Sequence, residues 1–96
     1  MKTIYRYTIN KSINDIDLPN GAEIISVGVS KENDKEVISL WAIVDSSAST
    51  SKRRFLVFGT GADMDETCNF NSKFIGTVKK ANQYAFHIFE IKDSII

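Results

Sequence analysis

The residues best suited to chemistry gather in the second half of the chain. Gly59-Thr60-Gly61 sets two glycines around a hydroxyl at the end of an apolar run. Successive backbone N–H groups in such a turn can form an anion nest that suits phosphate. The same Gly-x-Gly also serves as a plain tight turn, where glycine answers only to backbone geometry. It is neither a P-loop nor a dinucleotide fingerprint, and no helix pattern follows it. Lys52-Arg53-Arg54 lies just upstream, and a guanidinium fits phosphate bidentately. The bland alternative is a solvated strand start. His87 is the only histidine; it could serve as a general base, a metal ligand or a hydrogen-bond donor to a ligand, but it reads first as a strand-face histidine hydrogen-bonded to a neighbour. Trp41, Tyr5, Tyr7 and Tyr84 could stack a base, or could be core aromatics with one polar tip at the surface.

Catalytic and metal-binding sets are harder to assemble. One histidine and one cysteine cannot supply the usual N/S ligand set of a zinc site within one chain. Cys68 sits in a polar loop with no nucleophile signature around it, and a reactive thiol needs a partner base. Asp63, Asp65 and Glu66 form a small acidic cluster, but the spacing is not that of an EF-hand, and a solvated loop is the better reading. The expectation is a protein that is not an enzyme and has no cofactor and no metal.

The totals agree with a binding module. Ninety-six residues make a single domain spanning 1–96, with 43% hydrophobic and 25% charged residues, an ordinary globular composition. Twelve Lys plus Arg balance twelve Asp plus Glu, which argues against duplex DNA as a partner, because that needs a basic surface. The lone cysteine permits no intrachain disulfide. The opening residues lack the apolar core of a signal peptide, and no run approaches the roughly 20 apolar residues of a membrane helix. No membrane partner is expected, and the cytoplasm is the default location.

The elements that must position these residues are strands. Val37 to Val44 is the longest near-continuous apolar run and reads as a strand buried on both faces. Ala22 to Ser30 alternates, with Ile25, Val27 and Val29 on one face, and is its antiparallel neighbour through a turn at Lys31–Lys35. Thr3 to Ile9 alternates as a half-buried strand. Ile13 to Leu18 is a mixed, acid-bearing edge segment before the Pro19-Asn20-Gly21 turn. After a small polar loop at 46–52, Arg53 to Thr60 places Phe55 and Val57 opposite Leu56 and Phe58. A short helical turn after Asp63 is conceivable. Phe70 to Lys79 places Phe74, Gly76 and Val78 opposite Ile75 and Thr77. Tyr84 to Ile91 is the last strand, ahead of a tail from Lys92 expected to fray. The fold class is therefore all-β, a small antiparallel β-sandwich or open barrel of about six strands with no long helix. Strands that are apolar on both faces, without a helix to cover them, require either that the sheet curl on itself or that a second chain cover it, and a homo-oligomer is expected on that ground.

Several segments together resemble a family of small uncharacterised proteins of tailed phages and prophages. They are Lys2-Thr3-Ile4-Tyr5-Arg6-Tyr7, the run from Leu18 to Val27, Leu40-Trp41-Ala42-Ile43-Val44-Asp45, the run from Arg54 to Gly61, Phe74-Ile75-Gly76-Thr77, and Phe86-His87-Ile88-Phe89-Glu90. The resemblance spans nearly the whole chain. It implies a phage origin and the cytoplasm of a bacterial host. The family's proline after the Gly-Thr-Gly turn is absent here, where Ala62 and Asp63 stand.

Two functions follow as expectations. The first is a counter-defence binding protein that sequesters a small phosphorylated ligand, a cyclic nucleotide-like immune signal. In it Gly59, Thr60 and Gly61 hold phosphate, Arg53 or Arg54 neutralises charge, Trp41 or a tyrosine stacks the base and His87 donates a hydrogen bond. The second is a protein–protein inhibitor of a host enzyme, or a minor structural phage component, acting through a β edge.

Overall fold

The computed structural model describes residues 1–64 and 72–91. These form seven strands and no helix: β1 (Lys2–Thr8), β2 (Ile13–Pro19), β3 (Glu23–Glu32), β4 (Lys35–Asp45), β5 (Thr50–Gly59), β6 (Ser72–Lys79) and β7 (Ala85–Ile91). They build two antiparallel sheets, β1-β4-β3 and β2-β5-β7-β6. The outcome is sandwich-like and not a closed barrel. The acid-bearing segment after Ile13 is a full strand, which raises the expected count from about six to seven. Cys68, the acidic residues Asp65 and Glu66, the start of the strand expected at Phe70 and the tail from Lys92 lie outside the described residues.

β4 is the centre of the three-stranded sheet, as its apolar run predicts. Ile38, Leu40, Ala42 and Val44 point inward and are buried. The second face is less covered than expected: Val37 and Ser39 are buried, while Trp41 and Ile43 are only half-buried. β3 joins β4 through Asn33-Asp34, both at positive φ (51° and 65°), as a two-residue type I′ hairpin turn requires. The turn is therefore tighter than the expected five-residue loop, with Glu32 already paired to Lys35.

Between the sheets Phe55, Leu18, Leu40, Ile88, Ile9 and Val44 are fully buried. Two bulges redirect side chains that simple alternation would misplace. In β3 the register shifts between Ile24 and Ser26. Ile24 packs on the core while Ile25 is 45% exposed, a correction to the expected Ile25-Val27-Val29 face. In β6 the register shifts between Phe74 and Gly76. Ile75 then packs on the core and Phe74 turns to the outer face, again against the alternation read from sequence. Gly76 lets β6 pass close under β3: a Cβ there would lie 2.7 Å from Val27 Cγ2, nearer than packed carbons can approach.

The polar residues inside are satisfied. Asn14, buried within β2, accepts from the Lys11 amide at 3.1 Å and donates to the carbonyls of Lys11 and Phe55 at 2.7 and 3.3 Å. At the end of β4 the Asp45 carboxylate accepts from the Ser47 hydroxyl at 2.7 Å and the Ser47 amide at 3.1 Å. These bonds, with the amino group of Met1 at 3.2 Å, lower its pKa from 3.8 to about 2. A carboxylate depressed in the folded state stabilises the fold fully above its unfolded pKa. That contribution is lost as pH falls through the folded value. Asp45→Asn is therefore expected to flatten part of the stability loss between about pH 3.8 and 2, measured as denaturation midpoint against pH. An unchanged slope would mean Asp45 carries no linkage.

Candidate functional site

The outer face of the four-stranded sheet carries an aromatic cluster. Register places Leu56 and Phe58 of β5 on this face, with Phe89 and His87 of β7 opposite them. The β6 bulge adds Phe74, opposite Phe89. Phe58 and Phe89 meet edge to face at 6.0 Å between centroids, and Phe74 and Phe89 at 5.3 Å, favourable geometries for ring quadrupoles. Phe74 is 55% exposed. A groove of about 220 Å³ runs beside the cluster, lined by Phe58, Phe74, Phe89, Met64, His87 and the turn Gly59–Ala62.

The groove has one polar wall. His87 Nε2 lies 2.8 Å from Thr60 Oγ1, and Nδ1 lies 3.0 Å from Thr77 Oγ1. Two hydroxyls thus hold the half-buried ring at both nitrogens. The donor and acceptor roles of the two hydroxyls follow the tautomer of the imidazole. His87 is fixed in orientation and its two nitrogens are occupied.

Gly59-Thr60-Gly61 is a closed turn. The Ala62 amide donates to Gly59 O at 3.0 Å, and the Thr60 amide donates to Ala85 O at 3.3 Å. Gly61 has φ 90°. A four-residue turn with an i to i+3 bond and positive φ at its third residue is type II, which explains the glycine. An anion nest needs successive free N–H groups; here Thr60 and Ala62, on either side of Gly61, are already bonded.

The two arginines do not reach this turn. Arg53 and Arg54 lie six and five residues back along β5 from Gly59, about 17–20 Å at the rise of a strand. Both guanidiniums are engaged. Arg53 points between the sheets, making a fork to Glu90 at 2.6 and 2.9 Å and donating to Ala22 O at 2.7 Å. The bonds to Glu90 raise its pKa, against a smaller opposing effect of burial. Arg54 lies on the outer face with its own fork to Asp15 at 2.8 and 3.0 Å. That bond lowers the pKa of Asp15.

Trp41 is on the other sheet. It lies on the outer face of β1-β4-β3, its ring against Gly28, where a Cβ would be 3.4 Å from the indole. Of the seven residues expected to form one site, the fold brings together Gly59, Thr60, Gly61 and His87. Arg53, Arg54 and Trp41 stand elsewhere. Phe58, Phe74, Phe89 and Thr77 join the site without having been singled out. Alternation put Phe58 and Phe89 on the correct faces, and Thr77 could be found the same way. Phe74 could not, because a bulge sets its direction.

Among the described residues no three His, Cys, Asp or Glu side chains converge to hold a metal ion. No helix there is long and apolar enough to cross a membrane. A family model described as a domain of unknown function, DUF7352, matches residues 1–95. No curated protein and no solved structure matches the chain.

Proposed function

We propose that this chain, which belongs to the DUF7352 family, is a non-catalytic binding protein that receives an apolar or aromatic side chain of a partner protein in the groove beside Phe58, Phe74 and Phe89. The observation that carries this reading is the aromatic cluster on an outer sheet face, with Phe74 55% exposed. Aromatic residues are enriched at the centres of protein interfaces and dominate their energetics. The groove volume, about 220 Å³, falls below the roughly 300–1,000 Å³ of pockets that enclose a small-molecule ligand. It suits one inserted side chain, with the Thr60–His87–Thr77 wall orienting a polar tip.

The phosphorylated-ligand reading loses its charge partners. Its two arginines are bound to Glu90 and Asp15, and the turn has no run of free amides. The resemblance to phage proteins supports a bacterial host protein as the partner and the host cytoplasm as the place of action. Affinity capture from a bacterial host lysate, followed by titration of the purified partner, tests the proposal. Wild-type protein is expected to retain a stoichiometric protein through salt washing. Phe74→Ser is expected to weaken that binding by about 30-fold, the effect of losing a hot-spot residue of about 2 kcal/mol. No retained protein, together with heat on titrating cyclic dinucleotides, would return the site to the ligand reading.

A further inference from the structure

The sandwich has four sheet edges, at β1, β3, β2 and β6. β3 and β6 pack against one another where Val27 meets Gly76. β2 is defended by its sequence. The Val57 amide donates to Ser12 O, and these residues are directly opposite in the β2–β5 register. Ser12, Asn14, Ile16 and Leu18 therefore face their backbones toward β5, while Asp15, Asp17 and Pro19 present theirs to the free side. Acidic side chains and a proline at those positions discourage a further strand.

β1 has no proline at its outward positions and carries cations there, Lys2 and Arg6, beside Ile4 and Thr8. It runs seven residues without proline, bulge or acid. Ile4 is 55% and Tyr5 is 45% exposed. The Ile9 amide donates to Ile38 O at 2.8 Å, a directly opposite pair in the β1–β4 register. Odd residues thus bond to β4, and Lys2, Ile4, Arg6 and Thr8 turn their N–H and C=O groups to the open edge. Among the described residues no backbone group meets them.

We infer that this edge pairs with β1 of a second copy of the chain, antiparallel about a two-fold axis through Tyr5, joining two three-stranded sheets into one. The axis stands perpendicular to the sheet, so each residue pairs with one of the same parity. Centred on Ile4, the register sets Lys2 opposite the second copy's Arg6. Centred on Arg6, it opposes two arginines. Like charges directly opposite destabilise a sheet. Centred on Tyr5, Lys2 meets Thr8 and Ile4 meets Arg6, each in a hydrogen-bonded pair. The two Tyr5 rings form a close cross-strand pair on one face. Arg6 is already neutralised by Glu32 at 3.3 Å and held by Ser39 at 3.1 Å, so its stem can lie against Ile4. The interface is self-complementary, as a two-fold contact must be. It is separate from the aromatic groove on the other sheet.

Native mass spectrometry and light scattering read the outcome. Wild-type protein is expected to run at twice the 10.8 kDa chain mass. Ile4→Pro removes an outward N–H and Tyr5→Lys opposes two cations at the axis; each is expected to raise the dimer Kd at least tenfold. Tyr5→Cys with Cys68→Ser is expected to form a disulfide dimer on oxidation. Facing residues in a non-hydrogen-bonded pair have Cα atoms about 4.5 Å apart, within disulfide reach. Thr3→Cys with Cys68→Ser is not, because Thr3 faces the second copy's Tyr7. A wild-type monomer at millimolar concentration, a dimer that survives Tyr5→Lys, or equal cross-linking at positions 3 and 5 would overturn the inference. If Ile4→Pro fails to fold, Tyr5→Lys and the cross-linking pair decide.

Discussion

Phe55→Ala lowers the stability of the fold by about 3–5 kcal/mol, the cost of emptying a fully enclosed aromatic site. Phe55 is 0% exposed and sits on the inner face of β5, between β2 and β7. The cavity would open in the middle of the core cluster that joins Leu18, Leu40 and Ile88. Urea unfolding of the variant measures it: the midpoint should fall while the slope stays constant. A loss below about 1 kcal/mol would mean that the two sheets close over the gap. Trp41→Ala supplies the contrast. Its strand is central, but its side chain lies half-buried on an outer face, so the cost should be smaller than at Phe55, about 1–2 kcal/mol.

Arg53→Met is the second large effect, at about 2–3 kcal/mol. The Arg53 side chain is 25% exposed and that of its Glu90 partner 12%. Removing the cation leaves a carboxylate largely shielded from water and without its fork. It also strips Ala22 O, just before β3, of the bond from Arg53 Nη1. One side chain therefore ties the two sheets together. The double variant Arg53→Met, Glu90→Leu should recover part of the loss, because an apolar pair costs less than an orphaned charge. A double-mutant cycle with no coupling would show that the fork contributes nothing. Arg53 also lies 6.0 Å from the Phe55 ring centroid, so the Phe55 and Arg53 effects should not add.

This same arginine marks where sequence reading stops. Lys52-Arg53-Arg54 beside Gly59-Thr60-Gly61 is a sensible phosphate pattern in one dimension. Strand alternation, legible in the sequence, already put Arg53 and Arg54 on opposite faces. What it could not show is that a carboxylate waits for each: Glu90 lies 37 residues away and Asp15 lies 39. Proximity along an extended strand is also misleading, since each residue advances about 3.3 Å. His87 and Thr60, 27 residues apart, meet because β5 and β7 are paired. Arg53 and Gly59, only six positions apart, do not.

The anion-nest expectation opened on Gly59-Thr60-Gly61, and the fold gives that turn another use. Its amides close a type II turn, and its threonine hydroxyl holds His87. Beside it stands the wall of phenylalanines on which the proposed partner binding rests.

The sequence alone determined the all-β class, the β3–β4 hairpin, the central place of Val37 to Val44, and the faces of β5 and β7. These follow from side-chain period and turn chemistry, which are local. Only the tertiary structure decided that Phe74 joins Phe89 and that Ile25 leaves the core, because a bulge shifts register by one residue and reverses every face beyond it. It alone decided that Arg53 faces Glu90 and that β1 is an edge strand. Which strands are neighbours, and whose backbone is left unpaired, depends on contacts between segments far apart in the chain.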